Sequence, residues 1–464
     1  MNKALCDHID NQRARFVKDL ARLVAVDSTR TAPLPGMPFG EGGAIALGAA
    51  AEILSQHGYE PVNYENYALE ADFGDAPDLL FLAHLDVVPA GDDWTYEPFS
   101  MTEEGDRVYG RGVTDDKGPA LAALLAMDAC RDVLGQPKTG VRLVLGSGEE
   151  TGSEDMQHYF SRRPALRYTV SPDASFPLIN LEKGRFAPTF KKKAVSEAFI
   201  RVKEICGGAT QNIVPGKATA LISHLNAKNV AALVGEAAAR LGVEARLENR
   251  GEDLSILVKG TPAHASTPEA GVNAQTALIR ILLALPLRSD PVRETLEGLA
   301  RLFPHGDTKG EALGIDMADD ESGALTLNFG VLSYDGETFA CGADLRLPLA
   351  ATEGNVKDPM AEKLASIDFA FEGDPELRPV HYVPPTSPLV KTCLAAYEEF
   401  TGQPGECLAI GGGTYVHDVP GGVAFGPEFP GRDYRIHGAD EYADVPELLL
   451  SAKIYAEVIA RLCY

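Results

Sequence analysis

No apolar run in this chain is long enough to span a membrane, and stretches such as LVLG and ILLALPL have the length of core elements. The opening MNKALCDHIDNQRARF lacks the apolar core of a secretory signal, so a cytoplasmic protein is expected. The seven cysteines are odd in number and scattered, with no C-x-x-C pair, which argues against a disulfide framework and for free thiols in a reducing compartment. Basic residues are scarce: 42 stand against 67 acids, for a net charge of -25. That balance repels phosphate and excludes nucleic acid as a natural partner, whereas it attracts cations, metal ions included. Low-complexity tracts are absent too, and the composition is that of a globular protein. At 464 residues the chain is too long for one ordinary core, so two or three domains are expected.

The first part alternates helices and short apolar strands. Helical spacing runs over Asn11 to Val26, over the Ala-rich segment ending at Gly58, and from Lys117 to Leu134; strands are expected at Leu79–Leu85, Val141–Leu145 and Tyr168–Val170. Continuous apolar strands between helices imply a mostly parallel central sheet flanked by helices, with ligands at the strands' carboxyl ends. From about Lys183 the pattern turns to half-buried alternating strands, such as KKKAVSEAFIRVKEI and GALTLNFGVLSYDG, crossed by a few helices. This reads as an inserted α+β lid domain. The earlier pattern returns at SPLVKTCLAAYEEFTG and closes with a helix over Val445–Leu462. The expected organisation is a catalytic domain split between residues 1–184 and 383–464, with a lid of two α+β subdomains over 185–382.

Five segments carry polar chemistry at the ends of the expected strands. FLAHLDVVP presents His84 and Asp86 two positions apart, on one side of a strand's end. Alone, such a pair is more often a buried histidine beside a surface acid. GRGVTDDKGP places Asp115 and Asp116 before a helix, where an acid is ordinarily an N-cap. GSGEETG sets Glu149 and Glu150 between glycines after a strand; adjacent residues point different ways, so one can coordinate a metal while the other faces a substrate. SPDASFP supplies Asp173, and RIHGADEY supplies His437 far along the chain. Two histidines with several carboxylates form a ligand set that zinc accepts, and two ions sharing a carboxylate drive hydrolysis.

The order HLD, GRGxxDDKG, GSGEE, PD and a late histidine resembles the co-catalytic zinc peptidase family of aminoacylase, carboxypeptidase G and carnosinase. HLDVVPAGDDW, GGGTY and the length resemble its bacterial dipeptidase PepV group most. The resemblance implies two divalent ions, zinc first with manganese or cobalt as substitutes. One would be held by His84, Asp115 and Asp173, the other by Asp115, Glu150 and His437. Asp115 rather than Asp116 follows from the family's D-x-K-G pattern, which often has a cis peptide after the ligand. Asp86 would orient His84, Glu149 would be the general base, and His264 in TPAHAST would stabilise the oxyanion from the lid. Asn212, Arg346 and the segment Gly412, Gly413 and Thr414 would meet the substrate; a phosphate-loop reading of GGGTY fails for want of a G-K-[S/T] ending. His417, Asp418, Lys183 and Arg185 receive no role. The expected activity is hydrolysis of unblocked dipeptides, without any nucleic-acid or membrane partner, by a monomer whose enlarged lid completes the site. The alternative is an amidohydrolase acting on N-acyl or N-carbamoyl amino acids with the same metals.

Overall fold

A computed structural model describes residues 2–464, and the chain divides into two compact units. The first comprises the chain up to Glu182 together with His381–Tyr464; the second is Lys183–Val380.

The first unit is built on a nine-stranded sheet. Its centre is parallel: Gly140–Gly146, Pro77–His84, Tyr168–Ser171 and Val423–Ala424 lie side by side in that order. Toward one edge the partners turn antiparallel, through Ala68–Phe73 and Val62–Tyr64; toward the other, Ile179–Glu182 runs antiparallel to Val423–Ala424 and parallel to Leu408–Ile410. The strand PDLLFLAH shows why this sheet needs cover on both faces. Leu79, Phe81 and Ala83 enter the large core containing the helices Lys117–Leu134 and Val445–Cys463, whereas Leu80 and Leu82 join a smaller core with Met156, Tyr159, Tyr415 and Val419. Alternation continues to His84, which therefore shares the face of Leu80 and Leu82.

The helix Lys117–Leu134 is buried without a break from Lys117 to Cys130, as its run of alanine and leucine allows. It ends at Gly135, whose φ of +82° stops the helix. Two elements escaped the sequence pattern at the start of the unit. A separate helix, Lys3–Asn11, is capped by the Asn2 side chain and precedes Arg13–Val24, so the single helix expected from Asn11 begins later. The hairpin of Val62–Tyr64 with Ala68–Phe73 turns at Glu65 and Asn66, both in the left-handed region without a glycine.

The second unit carries one ten-stranded sheet, antiparallel throughout. It is continuous from Glu244–Arg250 at one edge, through Val202–Gly207 and Thr326–Tyr334, to Thr338–Leu347 and beyond. The helices Ala227–Arg240, Ala274–Ala284, Pro291–Leu302 and Lys357–Ala365 accompany it. The stretch expected as one strand, KKKAVSEAFIRVKEI, is two: Thr189–Lys193 and Val202–Gly207. Between them the Ser196 hydroxyl accepts the Ala198 N–H at 3.3 Å and bonds to Asp290, a local turn that interrupts pairing. Among the described residues all seven cysteines are free, and no helix is long and apolar enough to cross a membrane.

Phe81 is fully buried and packs on Tyr455, with ring centroids 5.5 Å apart. Phe81→Ala is expected to cost ~3–5 kcal/mol through the cavity it leaves, measured by chemical denaturation of the metal-free protein.

Candidate metal centre

The ends of three neighbouring parallel strands supply most of the site. His84 closes one strand, Gly146 lies beside it in register and leads into Glu149 and Glu150, and Ser171 ends the third just before Asp173. His84 is fully buried. Its Nδ1 lies 3.0 Å from the backbone carbonyl of Asp86, which can only accept, so Nδ1 carries a proton and Nε2 is the nitrogen left to meet a cation. That Nε2 has no hydrogen-bond partner, yet it faces Asp115 Oδ1 at 3.0 Å and Asp173 Oδ2 at 3.5 Å. Two carboxylate oxygens facing this nitrogen call for a proton or a metal cation between them, and the donor set fits a divalent metal.

The second oxygen of Asp115 reaches the other histidine. Asp115 Oδ2 is 2.9 Å from His437 Nε2, which also lies 3.1 Å from Glu150 Oε1. One carboxylate thus touches both imidazoles. Two donor groups result, Asp115 with Glu150 and His437, and His84 with Glu149 and Asp173, each with ligand atoms within 4.8 Å of one another. Against the push of burial, His437 and His84 hold the Asp115 carboxyl below the usual carboxylate range. The same contact from Asp115, with that from Glu150, pushes His437 up to about 10. Burial pushes Glu149 well above its ordinary value; His84 counters this, and Asp173, Glu150 and Asp86 reinforce it. Acids crowded in this way call for positive charge.

The neighbouring acids take different work. Asp116 does not cap the helix that follows; its Oδ2 accepts the His84 N–H at 3.1 Å. The Asp115–Asp116 peptide bond is cis. Asp86 orients His84 mainly through its carbonyl, since its carboxylate is 3.5 Å from Nδ1. That carboxylate instead accepts the N–H groups of Glu149 and Glu150, at 3.1 Å each. The remaining residues singled out in the sequence make contacts of their own. Thr414 gives its N–H and hydroxyl to Glu182, and Gly413 lies over Glu182 and His417, where a Cβ would touch both. Gly412 borders Ile410. In the second unit, the Asn212 carbonyl accepts the N–H of Ala265, the residue after His264, and Thr326, opposite Arg346 in the sheet, reaches the Ala265 carbonyl. His264 is exposed, with Nδ1 2.7 Å from the Ser266 hydroxyl. Arg346 sends Nε and Nη2 to Asp344, which also binds Arg185, so an internal carboxylate already engages the guanidinium. Lys183 donates to the Ala324 carbonyl.

Comparison with known proteins agrees with this geometry. The model of Peptidase family M20/M25/M40 matches residues 80–461. The chain belongs to that family. The M20 chain is 33% identical over 458 residues to the putative dipeptidase YtjP of Bacillus subtilis, covering 96% of this chain and 97% of that one. It is 34% identical over 459 residues to the Beta-Ala-Xaa dipeptidase of Lactobacillus delbrueckii subsp. lactis, covering 96% of each. Human carnosine dipeptidase 1 shares the fold, with a TM-score of 0.59 at 15% identity over 98% of this chain and 97% of that one. The protein is a peptide-bond hydrolase with an α/β catalytic fold, as its sequence led us to expect.

Three acids of this M20 hydrolase, Glu441 and Asp155 buried and Glu428 half-buried, were not legible in its sequence. Glu441 accepts from Arg111 Nη1 at 2.8 Å and from the N–H groups of Gly112, Thr114 and Asp115 at 3.0, 3.0 and 3.2 Å. It lies four residues after His437, and so ties the loop bearing Asp115 to the loop bearing the histidine. Asp155 collects N–H groups of the turn before Glu149. Glu428 is pushed up to about 7 by burial and by Asp173 and Asp115. A single acid near a helix or turn reads as a solvated surface group, and only the tertiary structure buries it. Glu441→Ala would leave Arg111, 1% exposed, without its carboxylate and is expected to cost ~3–5 kcal/mol. It should also weaken zinc binding roughly 10–100-fold, because the amide of Asp115 loses its acceptor. Guanidinium unfolding of metal-free protein and competitive zinc titration would measure the two effects.

Proposed function

We propose that the protein is a cytoplasmic, dinuclear metal-dependent dipeptidase that cleaves unblocked dipeptides. The observation that carries this reading is Asp115, whose two oxygens reach two histidines on different segments beside the paired glutamates. The dipeptide preference draws on the names of the relatives. In this reading His84, Asp115 and Asp173 hold one ion and Asp115, Glu150 and His437 the other, with zinc the first choice and manganese or cobalt able to replace it. Divalent ions bound there would acidify water and polarise the scissile carbonyl.

The chain's own groups supply the rest. Glu149, its backbone fixed by Asp86, takes the proton of the attacking water and passes it to the leaving nitrogen. Its raised carboxyl suits a group that must hold a proton and then release it. We assign oxyanion stabilisation to His264, and recognition of the substrate's ends to Asn212, Arg346 and the segment Gly412, Gly413 and Thr414. These assignments follow the family resemblance. For Arg346 they require that a substrate carboxylate share the guanidinium with Asp344. The excess of acids in the chain favours a substrate with a free ammonium over an N-acylated one.

A hydrolysis screen tests the reading directly. Dipeptides should be cleaved, tripeptides and N-acetyl amino acids much less, and chelation should abolish activity that zinc, manganese or cobalt restores. Faster cleavage of N-acyl substrates would favour the amidohydrolase alternative. Glu149→Gln should lower kcat by ~10²–10⁴ with metal content retained. Loss of metal with activity would mean that Glu149 serves chiefly as a ligand. His264→Ala should lower kcat with the metals in place, and mixing it with Glu149→Ala should restore nothing if one chain is self-sufficient. Recovered activity would show that His264 acts across a dimer.

A further inference from the structure

The buried polar contacts around the glycine segment join into one chain. Glu182, fully buried at a strand end, accepts the Thr414 N–H at 3.0 Å and its hydroxyl at 2.9 Å on Oε1, while Oε2 lies 3.1 Å from His417 Nδ1. This gives His417, unassigned in the sequence, a partner and a place. The next residue, Tyr415, sets its ring edge-on to His84, with centroids 6.1 Å apart and planes at 90°. Its hydroxyl donates to Asp155 Oδ2. The same oxygen accepts the N–H groups of Ser147 and Gly148, each at 2.8 Å, and Oδ1 accepts that of Met156. Ser147 and Gly148 belong to the turn that presents Glu149. Close approach here requires glycine, since a Cβ at Gly146 would overlap both the Tyr415 hydroxyl and the Asp155 carboxylate.

We propose that Tyr415 is a positioning residue for Glu149: through Asp155 it ties the Gly411–Thr414 segment to the Gly146–Glu150 turn, so that the two keep a fixed spacing. The catalytic part of this inference rests on reading Glu149 as the base. Another bond in the same unit offers a reference of the same chemistry. Tyr159, also buried, donates to Glu70 at 2.5 Å, but Glu70 is bound by Arg142 and Arg163 and touches no amide of the Glu149 turn. A merely structural tyrosine–carboxylate bond should behave as that one does.

Tyr415→Phe removes a single oxygen. It should lower kcat about tenfold or more while KM stays within about threefold and both metals remain bound. In the metal-free protein, deuterium uptake by a peptide spanning residues 146–152 should be faster than in wild type. Tyr159→Phe should leave kcat and that uptake unchanged, whatever it does to thermal stability. Asp155→Asn should reproduce the Tyr415→Phe loss, and the double variant should lose little more than either single one, because both break one link. The proposal is overturned if Tyr415→Phe keeps kcat within about twofold of wild type, if Tyr159→Phe loses as much, or if uptake over 146–152 is unaltered. Glu149→Gln, assayed in parallel, separates the two readings. Full activity there would sink the base assignment, whereas the exchange comparison still decides whether Tyr415 holds the turn.

Discussion

One carboxylate facing two imidazoles is the constraint around which the first unit is organised. Asp115 can reach His84 and His437 together only if its backbone is held, and the holding is done by a fully buried glutamate. Glu441 accepts the amides of Gly112, Thr114 and Asp115 and pairs with the equally buried Arg111, whose guanidinium also lies over Trp94 and donates to the carbonyls of Ala90 and Gly438. An ion pair of this kind contributes little net stability, since both ions were stripped of water. Its value here is geometric: it fixes the spacing between two segments more than 300 residues apart in the chain.

The same logic recurs around the other donors. Asp86 holds the Glu149 and Glu150 amides, Asp116 holds the His84 amide, and Asp155 holds the turn between Gly146 and Glu149. Each of these carboxylates accepts from backbone N–H groups of the segments that carry the donors. The acidic balance of the chain therefore conceals a division of labour. Some buried acids present charge to the site, and others clamp the loops that carry them. The sheet makes this economical, because parallel strands end on one side and deliver His84, Gly146 and Ser171 to neighbouring positions.

Much of this was legible beforehand, for identifiable reasons. The helix Lys117–Leu134 and the closing helix from Val445 were readable because apolar periodicity over many residues has few competing explanations. The donor set was readable because histidines and acids followed apolar strands at a family's spacing. The hairpin at Glu65 and Asn66 was not, since its turn lacks glycine; nor was the break after Lys193, which a serine side chain makes. Glu441, Asp155 and Tyr415 stayed hidden for a deeper reason. Their importance lies in which backbone amides they reach, and sequence spacing says nothing of that. Asp86 was expected to orient His84, yet its carboxylate oxygens accept the amides of Glu149 and Glu150 more closely than they approach the histidine ring.

The central claim is that Asp115 lies between two metal ions. Anomalous diffraction from crystals of zinc-loaded protein tests it most directly. The account predicts two peaks separated by roughly 3.5–4 Å, with an Asp115 oxygen on each, His84 on one ion and His437 on the other. A single peak, or two peaks of which Asp115 touches only one, would contradict it.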